Sequence, residues 1–361
     1  TTLSIVLIVS SLAYYLILGS FVSLEEDQSR NDMTVILNTL TEQGQTLNSS
    51  VKLLGANDDT YEFLSDNSSL FTNTTIGNKK FDELQLNFLL IYNKTGDLYY
   101  SKGYDLVTTQ ETAVPPAISQ FFSEKEMFIS PSSLDSTNGI VRMEDIPILM
   151  AASPITTKDG SGLSRGTLVI GRYMDALYVQ KLSDLTSRPL VVGFVGDTEM
   201  TEDMRDAEYA IRTTSSSLVY VHPVTSTLIA SYAQVNDVTG DPSLILKTER
   251  SREIFTKGLA AVEFFMIILV TISAIFVFFG LRLINNAFIQ IDKNIEQFAI
   301  LGDHIRNPLT VIVGLADLYE TKISRKIIEQ AKIIDEIVNQ LDMGWIESEK
   351  IKEFLRKYSK R

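Results

Sequence analysis

Two apolar runs frame the chain. Thr1–Ser23 carries no charge before Glu25, and Leu259–Leu281 is interrupted only by Glu263. Each exceeds the ~18–20 residues a helix needs to cross a bilayer. The first is longer than the apolar core of a signal peptide and lacks an A-x-A-like cleavage site, so it reads as an uncleaved anchor. It opens without Met inside an apolar run, so a few upstream residues are expected to be missing.

After the first run, apolar residues recur at Met33, Ile36, Leu40, Leu47, Val51 and Leu54, with Gly44 filling the one gap in a heptad seam. The spacing predicts a long helix over 24–62, either paired with its copy in a dimer or lying on its own domain. From Leu86 the pattern changes to strands. Leu86–Tyr92 and Leu98–Lys102 flank NKTGD, a hairpin loop with Gly at the αL position. Ile146–Ser153 and Gly166–Tyr173 follow, separated by the turn-rich TTKDGSGLSR, and then a helix over Asp175–Thr186. A second strand set comprises Leu190–Val195, Leu218–His222, Thr227–Val235 and Ser243–Thr248, with NDVTGDP marking the last turn. Two α/β modules are therefore expected, over 80–186 and 187–250, with Ser251–Lys257 leading into the second apolar run.

Beyond that run a new seam starts almost at once: Ile291, Ile295, Phe298, Leu301, Ile305, Leu309, Ile312, Ala316, Tyr319. The spacing predicts that the membrane helix continues straight into it. After a turn near Glu320–Ser324, Ile327, Ala331, Ile334, Val338, Leu341 and Trp345 repeat the seam. Two antiparallel heptad helices are half of a four-helix bundle, which a dimer completes. A short third helix is expected over Ile346–Tyr358. The fold class expected is an α+β membrane protein with segments at 1–23, 24–257, 258–283 and 284–361.

Composition adds limits. The 361 residues allow two or three domains, the absence of Cys excludes disulfides and thiolate metal sites, and a net charge of −13 argues against nucleic-acid binding. Between the apolar runs stand 32 acidic and 19 basic residues, against 12 and 13 from Arg282 onward, which points to different compartments. Basic residues flank the second run on both sides, so counting them barely decides orientation. Four N-x-[ST] sequons, at Asn48, Asn67, Asn73 and Asn93, all lie between the runs and suit an exposed, glycosylated exterior domain. The expected topology is two-pass in the cell membrane with both termini in the cytoplasm.

Several stretches resemble known families. NDDTYEF (Asn57–Phe63), IYNKTGDLYYSKGYD (Ile91–Asp105), SPSS with NGI (Ser130–Ile140), RGTLVIGRYMD (Arg165–Asp175) and NDVTGDPSLILKTERSREIF (Asn236–Phe255) are similar to the CHASE sensors, in particular their fourth class. That resemblance covers roughly Phe21 to Lys257 and implies a Cache- and PAS-like extracellular sensor of a prokaryotic, here archaeal, signalling protein. Where the family commonly has Trp just before its D-x-T-Y core, this chain has Leu54 and Asn57, which leaves ligand choice open. The stretch Leu301–Leu318 resembles the histidine box of sensor kinases, where the phosphoacceptor precedes R-[TN]-P-L. Aligned on Arg306, Asn307, Pro308 and Leu309, the family's histidine position holds Asp303 and the adjoining acid's position holds His304. One residue is ~100° of helical rotation, so His304 would point away from the side where ATP is presented. Pro308 lacks an N–H, which frees the carbonyl of His304 and gives the helix some latitude.

The candidate ligand-binding residues of the exterior domain are Asp58, Asp59, Tyr61, Tyr92 and Arg172. Asp58, Asp59 and Tyr61 read equally as a cap and packing knot, and Arg172 reads as a carboxylate binder or, more simply, as half of an ion pair with a nearby acid. His222, before Pro223, reads as structural. No metal site stands out. Only sixteen residues follow Trp345, none resembling an ATP-binding box, so the expectation is a receptor that is not an enzyme, with no cofactor. It would be a homodimer that senses a small molecule and passes helix movement to a cytoplasmic signalling protein, without nucleic acid. The alternative is a truncated or split sensor histidine kinase with His304 as phosphoacceptor, and the third reading a structural cell-surface protein.

Overall fold

The computed structural model describes all residues except 1, 67–74, 126–127, 129–134, 144–145, 160–162, 199, 214–217, 320 and 360–361, and within helices leaves out the side chains of 2–5, 66, 341–342, 344–349 and 351–359. The chain divides into two units, Ser11–Glu263, and Thr1–Ser10 with Phe264–Arg361.

In the first unit, helix α1 (Thr2–Gly55) presents Met33, Ile36, Leu40, Leu47, Val51 and Leu54 to the unit's own core, all at most 7% exposed. The seam is therefore closed within one chain, because a six-stranded sheet offers it a flat apolar face. Gly44 stands at the seam's gap because a Cβ there would come within 3.1 Å of the Asn138 amide. The helix ends seven residues earlier than the spacing predicts. Asn57 breaks it, its Oδ1 accepting the Asp59 N–H, and α2 (Asp58–Asp66) begins separately.

The large sheet is built from β1 (Phe88–Asn93), β2 (Leu98–Asp105), β3 (Gln110–Thr112), β4 (Thr137–Met143), β5 (Ile146–Pro154) and β6 (Gly166–Tyr173), in the order β3-β2-β1-β6-β5-β4, every neighbouring pair antiparallel. Side chains alternate across a strand. Leu89 and Ile91 join the core that holds α1, whereas Phe88, Leu90 and Tyr92 join a second core with Ile118 and Phe122 of α4 (Pro116–Glu124). Because both faces are covered, β1 reads as an unbroken apolar run. Helix α3 (Asn78–Leu84) precedes β1, and α5 (Ala176–Thr186), N-capped by Asp175, leads out of β6.

A four-stranded sheet, β7-β10-β9-β8, forms the second module from β7 (Val191–Phe194), β8 (Val219–Pro223), β9 (Leu228–Asn236) and β10 (Pro242–Ser251). One face, with Tyr232 and Ile245, packs on Met204 and Ala207 of α6 (Glu202–Thr213), and Ala233, Leu244 and Leu246 on the other join the core containing α1. The two modules carry the same hairpin tip. In Asn93–Asp97 and Asp237–Asp241 the first side-chain oxygen accepts the N–H groups of the third and fifth residues, and Gly96 and Gly240 take φ of 84° and 95°. The second tip docks on the first module: Val238 donates its N–H to Ile140 O at 2.8 Å, over Gly139 of the NGI stretch.

Helix α7 (Glu253–Asp317) holds Pro308 in its interior, and α8 (Lys322–Ser359) is opened by Thr321, whose Oγ1 accepts the Ser324 N–H. The expected third helix is not separate. Nothing at Gly344–Ile346 stops α8, since a lone Gly is tolerated within a helix.

Candidate functional site

The heptad pair brings the box residues onto distinct faces. Gly302 and Leu309 of α7 are buried, as are Ala331 and Val338 of α8. Arg306 ties the two helices. Its Nη2 donates to Asn339 Oδ1 at 3.1 Å, its Nε lies 3.8 Å from Asp335 Oδ1, and its Nη1 lies 3.9 Å from Asp303 Oδ1 one turn back. Asn339 in turn donates to Asp335. His304, Asn307 and Pro308 are exposed. At ~100° per residue His304 stands about 200° around the helix from Gly302, on the outer side of the pair. The imidazole is thus exposed on that side, while Asp303 is engaged, weakly, by Arg306. The hairpin leaves apolar surface open: a groove of about 340 Å³ is lined by Leu309, Ile312, Ile323, Ile327, Ala331 and Ile334. The seam positions Leu341 and Trp345 lie among the side chains not described.

In the α/β unit the five candidate residues do not converge. Asp58 Oδ1 accepts the Lys158 N–H at 3.0 Å, and Asp59 accepts from Thr75 at 3.4 Å. Both sit in the first turn of α2, where negative charge suits the helix dipole. The Tyr61 ring lies 3.8 Å from the Arg165 guanidinium, which also donates to Tyr61 O and to Ser65 Oγ. Asp58 and Tyr61 therefore anchor α2 to the β5–β6 connection, and Asp59 ties it to the segment before α3. Tyr92 is fully buried on the α4 side of the sheet, its hydroxyl donating to Ser119 O at 2.7 Å, and burial pushes that hydroxyl well above the ordinary phenol range. Arg172 lies on the opposite face.

The ion pair expected for Arg172 is replaced by neutral partners. Nε donates to Gln85 O (2.7 Å), Nη2 to Leu84 O (2.7 Å) and Nη1 to Gln43 Oε1 (3.0 Å). The reason is local: α3 ends in a left-handed residue, Gln85, whose carbonyl and that of Leu84 face the strand end instead of continuing a helix. His222 stacks on Tyr220, ring centroids 6.0 Å apart. Of the sequons, Asn48 has a buried Oδ1 without a partner, Asn93 donates to Asp97, and Asn67 and Asn73 lie outside the described residues.

The sequence pattern did not reveal the buried ion pairs around α1. Glu25 Oε2 accepts Arg252 Nε at 2.8 Å and its Oε1 accepts the Phe255 N–H at 3.2 Å, so one carboxylate joins α1 to the start of α7. Asp32 bonds both Arg188 (2.9 Å) and Arg250 (3.0 Å). The available signal was that Glu25 is the first charge after an apolar run, which reads equally as the first wet residue.

Comparison with known proteins places a CHASE4 domain at residues 39–192 and a His Kinase A (phospho-acceptor) domain at 293–349. The chain is 24% identical over 264 residues to the methanogenesis regulatory histidine kinase FilI of Methanothrix harundinacea (strain 6Ac). The match takes in 72% of this chain and 28% of that one, so the chain spans under a third of its curated relative's length. Among solved structures, the extracellular domain of vpHK1S-Z8 is similar at 12% identity and a TM-score of 0.46, covering 66% of this chain and 95% of that one. The periplasmic domain of LuxQ from Vibrio cholerae is similar at 10% identity and a TM-score of 0.38, covering 62% and 99%. These findings correct one expectation. A phospho-acceptor domain and a histidine kinase homologue point to a kinase, so the reading of a non-enzymatic protein is overturned.

Proposed function

We propose that this chain, which carries a CHASE4 domain followed by a His Kinase A domain, is the sensing, membrane-crossing and phosphoacceptor part of a sensor histidine kinase. The observation that carries the reading is His304. It is an exposed imidazole on the outer face of α7, inside the matched phospho-acceptor region and four residues ahead of Pro308. A proline N–H cannot bond the His304 carbonyl, so the helix around the imidazole can turn locally toward a nucleotide. In the reaction a ring nitrogen of neutral His304 attacks the γ-phosphorus of ATP. An N–P bond forms, the bond to the ADP oxygen breaks, and the other ring nitrogen releases its proton.

Membrane crossing is supported by Val6–Gly55 and Glu253–Asp317, both long and apolar enough. Within the second, Phe264, Ile267, Phe276 and Leu281 are each more than 60% exposed, an apolar surface that lipid would cover and water would not. A second copy would cover the groove at Ile312, Ile323, Ile327 and Ile334, completing a four-helix bundle. We assign the α/β unit, roughly 24–257, to the exterior and the tail from about 284 to the cytoplasm. Asn93, at an exposed hairpin tip, is the better glycan acceptor of the two described sequons.

The test uses the full chain in sealed right-side-out vesicles, with labelled ATP and the catalytic domain of a related histidine kinase. Label is expected only after the vesicles are opened. It should survive alkali, be lost in acid, disappear in His304→Ala and persist in Asp303→Asn. Alkali-labile label, or label retained in His304→Ala, would move the acceptor to Asp303 or elsewhere and sink this reading.

A further inference from the structure

A cavity of about 100 Å³ lies where the end of β2, the end of β6 and the first turns of α5 meet. Its wall combines Arg172, Tyr178 and Lys181 with the apolar Leu106, Val107 and Leu177. Three features of that wall are unusual for a merely structural void. Arg172 is buried, at 6% exposure, and spends three N–H groups on neutral oxygens, leaving one on each terminal nitrogen and a charge that no carboxylate pairs among the described residues. Tyr178 is 7% exposed and its hydroxyl donates to no acceptor among the described residues, a cost that native interiors rarely carry without cause. Burial pushes that hydroxyl above the ordinary phenol range, against the charge of Arg172 and a side-chain hydrogen bond from it, so one spare Arg172 N–H faces the Tyr178 oxygen while the O–H itself stays a donor.

The two acids on the wall are already occupied. Asp105 accepts the N–H groups of Val107 and Thr108 and the Thr108 hydroxyl, and Asp175 accepts the Tyr178 N–H as the cap of α5. What remains on the wall is one cationic N–H, one phenolic donor and a short apolar flank. The volume has room for several waters or a compact anion, since a water in the liquid occupies ~30 Å³. A guanidinium and a neutral hydroxyl together match a planar carboxylate. A larger or doubly charged ligand would meet Asp105 and Asp175.

We propose that this cavity binds a short monocarboxylate, of acetate to butyrate size. Its oxygens take a free N–H of Arg172 and the O–H of Tyr178, and its alkyl end meets Leu106, Val107 and Leu177. Lys181, exposed at the rim and held by Gln85 Oε1 at 3.0 Å, adds attraction at the entrance. The position also gives such a ligand a route to the signal. Arg172 holds Gln43 of α1, and α5 runs on to Arg188, which bonds Asp32 of α1. Ligand contacts therefore reach α1 at two heights.

The proposal rests on the reading of the α/β unit as a sensor, but its test needs no phosphorylation. The full chain in detergent micelles is titrated calorimetrically with propionate, and separately with propionamide and with chloride. Saturable binding is expected with propionate alone, with a Kd on the order of 0.1–1 mM for a ligand of so few atoms. Tyr178→Phe should weaken it about tenfold, as loss of a hydrogen bond to a charged group does, without lowering the unliganded melting point. Arg172→Ala also removes two bonds to the end of α3, so the exposed Lys181→Met serves as the second variant and should weaken binding severalfold. Absence of saturable propionate binding, an equal response to propionamide or chloride, or undiminished binding in Tyr178→Phe would overturn the proposal. The His304 labelling result would stand or fall separately.

Discussion

Replacing Glu25 by Ala tests how α1 and α7 are held together at the base of the sensor unit. Glu25 is 1% exposed and Arg252 9%, and the carboxylate makes two contacts, to Arg252 Nε at 2.8 Å and to the Phe255 N–H at 3.2 Å. The second contact satisfies one of the N–H groups that the first turn of α7 cannot pair internally. Removal leaves a guanidinium buried without its counter-charge, and truncating one partner of a buried pair costs about 3–5 kcal/mol. Against a domain stability of about 5–15 kcal/mol that is a large share. At about 2–4 °C per kcal/mol for a domain of this size, the melting point should fall by roughly 6–20 °C. Thermal unfolding of the full chain in micelles, followed by circular dichroism, measures it. The double replacement Glu25→Leu with Arg252→Met should recover most of the loss, because a well-packed apolar pair replaces a buried ionic one at little cost. A Glu25→Ala melting point within about 2 °C of the parent would mean that the pair is solvated, as exposed pairs worth under ~1 kcal/mol are, and the clamp would be refuted.

Three further variants test other contacts. Burial pushes the Asp203 carboxyl up, but hydrogen bonds from Lys247, Thr201 and Tyr232 and the Lys247 charge outweigh it and hold the group below the usual carboxylate range. A depressed carboxyl stabilises the fold above its unfolded value of about 3.9 and loses that contribution as pH falls toward its folded value. Stability plotted against pH should therefore fall less steeply below about pH 4 in Asp203→Asn than in the parent, and identical acid limbs would count against the pair. Gly166→Ala and Gly314→Ala should act in opposite directions. A Cβ at Gly166 would stand 2.0 Å from the Tyr92 carbonyl, so β1 and β6 must part at a cost of about 1–3 kcal/mol or more. Gly314 has nothing within 4 Å of its Cβ position, and its helix should gain about 0.8–1 kcal/mol. Calorimetry of each variant against the parent decides, and a destabilised Gly314→Ala would show that this face is covered.

Much of the architecture was legible because it is written in local periodicity. The heptad positions from Met33 to Leu54 identified the buried face of α1, and the apolar runs Ile146–Ser153 and Gly166–Tyr173 announced strands. The pair of T-G-D tips followed from glycine's freedom at positive φ. Weakly patterned elements escaped. β3 is three exposed residues, and α6 has a polar composition in which only Met204, Ala207 and the half-buried Ile211 are described as packing on the core. Among the candidate residues, Arg172 shows the limit most clearly. Its sequence neighbours are apolar strand residues and nothing near it in the chain names Gln43, Leu84 or Gln85 as partners.

The sequence by itself determined the order of parts: two apolar runs, a sensor-like α/β segment between them, and a heptad hairpin bearing His304 and Pro308. Those features depend on composition and on spacings of two to seven residues, and short-range geometry converts them directly into helices and strands. Only the tertiary structure decided where the heptad seam of α1 is buried, that Tyr92 and Arg172 stand on opposite faces of one sheet, and that Glu25 meets Arg252 across 227 positions of chain. Such contacts are set by how whole faces pack, and a buried charge finds its partner through the fold and not through its neighbours in sequence.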